Sequence, residues 1–92
     1  MGSKRMNILG HTYTVTKVDH LDGLMGRHRL TTSEIEISDK LTPAQEQSTL
    51  IHEVLEAINV MMELELTHQQ ICTLEASLFQ VISSNNVSIP KL

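Results

Sequence analysis

With 92 residues, of which 40% are hydrophobic and 20% charged, the chain has the length and composition of one small globular domain. A net charge of −4 and a nearly complete lack of aromatic residues argue against nucleic-acid binding, which normally uses a basic face, and against an anionic membrane surface. The single cysteine, Cys72, excludes an internal disulfide. Because no signal peptide or membrane span is recognisable either, we expect a protein of the reducing cytoplasm.

Extended segments come first in the chain. A stretch rich in β-branched residues, from Ile8 to Val18, predicts a first strand. Asp19–Gly23 is typical of a turn, and Met25–Leu30 is a second strand candidate. Ile35 and Ile37 alternate with polar residues, which predicts a third strand with one apolar face. We therefore expect a small antiparallel sheet of about three strands with one side facing water.

Two capping boxes predict two helices after the sheet. Thr42 is a good N-cap, Pro43 suits the first helical position, and Gln45 completes the box. A second box joins Thr67 to Gln70. Apolar residues at helical spacing continue the first helix to about residue 64 and the second to about residue 83. The fold class is thus α+β, with a sheet followed by two helices.

The ends of the chain contribute little to the predicted fold. Met1–Arg5 has the character of a vector-derived remnant, with Met6 as the natural start, and is left out of the fold prediction. One domain is predicted over 6–86. Residues 87–92, interrupted by Pro90, are expected to form an extended tail.

The first helix carries a group of residues with metal-binding chemistry. His52 and Glu56 are four residues apart and project from one side of the helix, where imidazole nitrogen and carboxylate oxygen can both bind a metal. Glu53 follows His52, in the position that holds the general base in H-E-x-x-H peptidases. From these residues alone, a solvated polar face is an equally good interpretation.

The second helix adds a carboxylate in an unexpected place, since Glu75 interrupts its apolar stripe and His68 shares that face. A carboxylate on a buried face is costly unless it is paired or bound to a metal. Glu75 is therefore either an ion-pair partner, of His68 or of a Lys or Arg in the sheet, or a ligand. The adjacent His52 pattern favours a ligand. The stripe consists of Ile71, Leu74, Leu78, Phe79 and Ile82.

The order of a strand at 35–38, the helical segment Thr49–Ile58 and the segment Glu75–Phe79 resembles the miniature gluzincin-type metallopeptidases. These enzymes are common in phages and mobile elements. They pair an H-E-x-x-H helix with a Glu on the next helix, usually followed by a small residue and then an aromatic four positions on. Short phage proteins reading H-E-hydrophobic-L-E-A-I-N, as His52–Asn59 does, are especially similar. The resemblance covers about 30–85 and implies a minimal zincin-like core in a bacterial host cell.

Carried over by position, the resemblance implies His52 as first metal ligand, Glu53 as general base and Glu75 as third ligand. The second His of the family is replaced here by Glu56. We expect one divalent ion per chain, with Zn²⁺ first and Mn²⁺ as the alternative, because an added carboxylate favours harder metals. His68 could restore a nitrogen ligand. Four protein ligands would close the coordination sphere, as in structural sites.

Two classes of function follow. The favoured one is a phage-encoded metal-binding module with a degenerate peptidase-like core, which binds or regulates a host or phage protein without catalysis. The alternative is an active metal-dependent mini-peptidase with Glu53 as general base. Either class implies a protein partner or peptide substrate, and self-association would suit so small a core. His11, His20 and His28 are expected to be solvated, and Cys72 is expected to be packed and unreactive.

Overall fold

The predicted first strand, Ile8 to Val18, begins at His11 in the structure, and a further strand that was not predicted precedes it and forms a hairpin with it. In the computed structural model, which describes residues 3–88, Leu9 and Gly10 both have positive φ, 50° and 86°, as a tight two-residue hairpin turn of type I′ requires. β1 (Ser3–Ile8) pairs antiparallel with β2 (His11–Val18) across this turn. Residues 3–5, which the sequence analysis set aside, therefore form the first half of β1.

Two further strands complete a mixed sheet. β3 (Gly26–Arg29) pairs antiparallel with β4 (Glu34–Ser38), and β4 pairs parallel with β2, in the order β1-β2-β4-β3. The α+β class is confirmed, but the sheet has four strands and one parallel pair where about three antiparallel strands were predicted. β3 is an edge strand of this sheet.

The alternation in β4 has the predicted effect. Ile35 and Ile37 are fully buried. On the opposite face Glu36 accepts hydrogen bonds from Nε and Nη2 of Arg27 at 2.9 and 2.6 Å. One face of the sheet is therefore apolar and the other polar, as expected for a sheet covered on one side. The core cluster comprises Ile8, Tyr13, Val15, Ile35, Ile37, Leu50 and Ala57.

Both helices begin at the predicted capping boxes. Thr42 caps α1 (Pro43–Met61) and Thr67 caps α2 (His68–Ser84), each with the reciprocal bonds to a Gln three residues later. α1 ends a few residues earlier than expected. Asn59 stabilises the turn that follows: its Oδ1 accepts from Leu66 N–H at 2.9 Å and its Nδ2 donates to Leu66 O at 3.4 Å. This turn directs α2 back along α1.

The two helices form successive layers on the sheet. α1 packs on the strands, whereas α2, among the described elements, packs on α1 alone. Of the apolar stripe predicted for α2, only Ile71 is buried, and Leu74 and Leu78 are 40% and 41% exposed. Within residues 3–88 no helix is long and apolar enough to cross a membrane. Of the predicted tail, 87–88 has neither helix nor strand, and 89–92 lies outside the described residues, as do 1–2.

Candidate metal centre

A cleft of about 400 Å³ opens between the two helices and the start of β3. α1 and the N-terminal half of α2 form two of its walls, and the segment entering β3 forms the third. The side chains that line the cleft combine potential metal ligands with a small apolar lip. They are Leu24, Met25, Gly26, Thr49, His52, Glu53, His68, Cys72 and Glu75.

Glu75 is held in the cleft by residues of α1. His52 Nδ1 lies 2.7 Å from Glu75 Oε1, and Ser48 Oγ donates a hydrogen bond of 2.5 Å to Oε2. The His52 and Glu75 side chains are only 17% and 23% exposed. Glu75 is thus paired with His52, and not with His68 or with a basic residue of the sheet. This pairing brings together two of the residues that the sequence analysis nominated as ligands.

Cys72 completes a group of three potential ligands. A ring nitrogen of His52, Sγ of Cys72 and a carboxylate oxygen of Glu75 all lie within 4.8 Å of one another. Cys72 reaches the cleft because it precedes Glu75 by three residues and so shares its helix face. His68 is next to this group: its Nε2 lies 3.4 Å from Cys72 Sγ, and its ring meets that of His52 edge-on at 5.5 Å.

The donor set of this group suits a zinc ion. Tetrahedral zinc, with bonds of about 2.0–2.3 Å to nitrogen, oxygen and sulfur, places its ligand atoms roughly 3.3–3.8 Å apart. The separations here range from 2.7 Å, for His52 and Glu75, to at most 4.8 Å. Side-chain shifts of about 1 Å would therefore bring one atom of each residue into coordination distance. His68 is the nearest candidate for a fourth ligand.

Glu53 lies in the same cleft but on its buried side. The residue is 6% exposed, and within residues 3–88 its carboxyl group has no hydrogen-bond partner, although its oxygens are not fully enclosed. Burial raises the pKa of Glu53 to about 7; the neighbouring charge of His52 opposes this effect, and those of Glu56 and Glu75 add to it. A carboxyl group with this pKa can both accept and release a proton near neutral pH.

Gly26 lets β3 approach the helix that carries Glu53. A Cβ atom at position 26 would lie 2.7 Å from Thr49 Cγ2 and 3.1 Å from Glu53 Oε2. Both distances are shorter than normal van der Waals contacts, so only glycine fits without displacing these side chains. The Thr49 methyl group and the Glu53 carboxyl group are thus held directly against the backbone of the edge strand.

Glu56 does not join the ligand group. It does not line the cleft, and its charge acts on His28 of β3 as well as on Glu53. Burial lowers the pKa of His28, and the charge of Glu56 opposes that shift. His28 Nε2 lies 3.2 Å from the hydroxyl group of Tyr13, which is fully buried. His28 is therefore a partly buried, hydrogen-bonded residue, and the prediction that it is solvated is wrong.

Four of the site residues predicted from the sequence, His52, Glu53, His68 and Glu75, line the cleft, whereas Cys72 was not predicted as a ligand. The signal for Cys72 was its spacing, four residues after His68 and three before Glu75. In our comparisons no family model matched the chain, and no curated protein or solved structure showed significant similarity to it.

Proposed function

We propose that this protein binds one zinc ion in the cleft, through His52, Cys72 and Glu75, and that the metal-bound cleft is a binding site for a segment of another protein. The observation that carries the proposal is the approach of three different donor atoms, from two helices, to within 4.8 Å of one another. In the metal-free arrangement His52 and Ser48 pair with Glu75, and a bound zinc ion would take the place of the His52–Glu75 contact.

Cys72 favours zinc over manganese. Thiolate is a soft ligand, which zinc accepts and which Mn²⁺, with its preference for oxygen, does not. The case for manganese depended on a second carboxylate from Glu56, and that residue lies outside the group. A site of one imidazole, one thiolate and one carboxylate is therefore best matched to Zn²⁺.

The position of the cleft supports a protein ligand. β3 is an edge strand, and its first residue, Gly26, lines the cleft. A free strand edge can pair with an extended segment of a partner through backbone hydrogen bonds. Leu24 and Met25, 56% and 55% exposed at the lip of the cleft, offer an apolar surface to the side chains of such a segment.

We place this module in the class that the sequence resembles, a degenerate zincin-like core of phage type that acts on a host or phage protein in the bacterial cytoplasm. Two features support loss of catalysis. Glu56 replaces the second His of the peptidase pattern, and His68 is close enough to Cys72 to act as a fourth ligand. Four protein ligands leave no open position for a substrate or water.

The position of Glu53 favours a second candidate, a metal-dependent peptidase. A bound zinc ion supplies Lewis acidity and lowers the pKa of a water molecule in such sites. Glu53 shares the cleft with the ligand group, and its carboxyl group is free of hydrogen bonds to described residues. It would accept the proton of the attacking water. This function requires His68 to remain outside the coordination sphere.

Metal analysis of protein purified without chelator tests the first step. We expect about one zinc ion per chain, and charge-transfer absorption from thiolate after Co²⁺ replacement. Cys72→Ser should remove that absorption, and Glu75→Gln should lose the metal, whereas Glu65→Gln, at an exposed loop position, should change neither. At 1,000 times its dissociation constant zinc should add roughly 4 kcal/mol of stability. An unmetallated protein whose melting is unaffected by chelator would contradict the proposal.

A cleavage assay on casein and on bacterial repressor proteins separates the two candidates. The binding module should leave these proteins intact at any zinc concentration. Zinc-dependent cleavage that Glu53→Gln abolishes, with zinc content unchanged, would establish the peptidase instead.

A further inference from the structure

The outer side of α2 is unusual for a helix at a protein surface. Among its 17 residues Glu75 alone is an Asp, Glu, Lys or Arg, although 20% of the whole chain is charged. Glu75 is turned toward α1 and paired with His52. The solvent side of α2 therefore lacks the charged residues that normally cover the exposed face of an amphipathic helix.

Most exposed residues of α2 are uncharged Gln, Ser and Thr, and a row of apolar residues lies beside them. Leu74, Leu78 and Val81 are 40%, 41% and 51% exposed. Their spacing of four and three residues places them on one face of α2. We call these three residues the α2 ridge.

An apolar groove lies directly beside the ridge, on the side of α2 away from the metal cleft. It has a volume of about 340 Å³ between α2, α1 and β1, and all of its lining residues in the described part of the chain are apolar. Leu78 belongs to both the ridge and the groove, so the two features are adjacent. The groove is lined by Met6, Leu50, Ile51, Val54, Leu55, Ile58, Leu78 and Ile82.

We propose that this face binds a second copy of the chain, with the α2 ridge of each copy seated in the groove of the other. A ridge beside a groove on one surface is self-complementary under a two-fold axis, which is the arrangement of most homodimers. Charge also favours a second copy. Two chains of net charge −4 repel each other, and an uncharged face is where they can approach at least cost. Within residues 3–88, the α2 ridge and the groove contain no charged residue with which to select a partner of opposite sign.

The size of the face predicts a weak dimer. A helix of 17 residues is about 25 Å long, and two packed helices are roughly 20 Å wide, so the projected area is about 500 Å² per copy. Stable complexes bury about 800 Å² per partner, and smaller interfaces are typical of weak, transient ones. We therefore expect dissociation constants on the order of micromolar.

Sedimentation equilibrium of the full chain from about 1 to 500 µM, in reductant, tests the proposal. Wild-type protein should change from monomer to dimer in this range, with zinc and with chelator alike. Val81→Glu places a charge on the ridge and should raise the dissociation constant about tenfold or more. Leu30→Glu is the matched control, since Leu30 is 45% exposed in the β3–β4 connection, away from α2. Circular dichroism melting shows whether each variant is folded.

Several outcomes would overturn the proposal. If wild-type protein is still a monomer at 500 µM, the face would bind a different protein. If the Val81→Glu variant is folded and dimerises as tightly as wild type, the dimer would use another surface. A dimer seen only with zinc would be bridged by the metal. If a chain ending at Ser88 dimerised where the full chain did not, the groove would belong to the chain's own C-terminal residues.

Discussion

Replacing Glu53 by glutamine should stabilise the metal-free protein at alkaline pH and leave it unchanged at acidic pH. Glu53 is 6% exposed, and its pKa is raised from 4.5 to about 7, chiefly by burial. One pKa unit corresponds to 1.36 kcal/mol, so a shift of this size corresponds to about 3 kcal/mol of unfolding free energy. Domains of this size have a total stability of about 5–15 kcal/mol, and the effect should be easy to detect.

The direction of the effect follows from proton binding. Between pH 4.5 and 7 the folded protein holds a proton on Glu53 that the unfolded chain has released. Unfolding free energy therefore falls as pH rises through this range, because stability decreases wherever the native state binds more protons. The neutral amide of the glutamine variant does not titrate. The variant should match wild type near pH 4.5 and exceed it by up to about 3 kcal/mol at pH 8.

Urea unfolding followed by circular dichroism at pH 4.5, 6, 7 and 8, in chelator, measures both curves. Glu65→Gln is the control, since Glu65 is an exposed glutamate of the α1–α2 connection and should leave the wild-type pH dependence unchanged. Saturating zinc should flatten the wild-type curve, because a nearby cation favours the ionised carboxylate. Parallel curves for wild type and Glu53→Gln in chelator would refute the reasoning, and the carboxyl group would then be solvated in the folded protein.

Three further predictions concern the elements around the site. Gly26→Ala should lower the free energy of unfolding, measured in urea, by about 1–3 kcal/mol, because its methyl group would meet Thr49 Cγ2 at 2.7 Å. Adding Thr49→Ser removes the Thr49 methyl group and should restore part of that stability; if it does not, the strain lies elsewhere. Glu56→His should not change the affinity for zinc, measured by competition with a chelating dye. Tighter binding would show that positions 52 and 56 of α1 bind the metal in place of Cys72. Thr42→Ala should lower stability by about 1 kcal/mol through loss of the α1 cap, and no change in thermal denaturation would mean that the cap is dispensable.

Features that depend on neighbouring residues were predictable from the sequence. Each capping box is a contact between residues three apart, so Thr42 and Thr67 marked the starts of both helices without knowledge of the fold. The alternation around Ile35 and Ile37 likewise predicted which face of β4 is buried. The cleft contains four of the five nominated site residues because the spacing along each helix determines which side chains share a face.

Partners that are distant in sequence were decided by tertiary structure. No local pattern shows that β2 pairs parallel with β4, since the strand between them in sequence takes the sheet edge instead. The i, i+4 spacing does not distinguish His52 from Glu56, yet in the folded protein His52 pairs with Glu75 of α2 and Glu56 does not line the cleft. Cys72 enters the site for the same reason. Helical spacing defines the faces of a helix, but only the packing of one helix on another determines which face meets a partner and which is left in solvent.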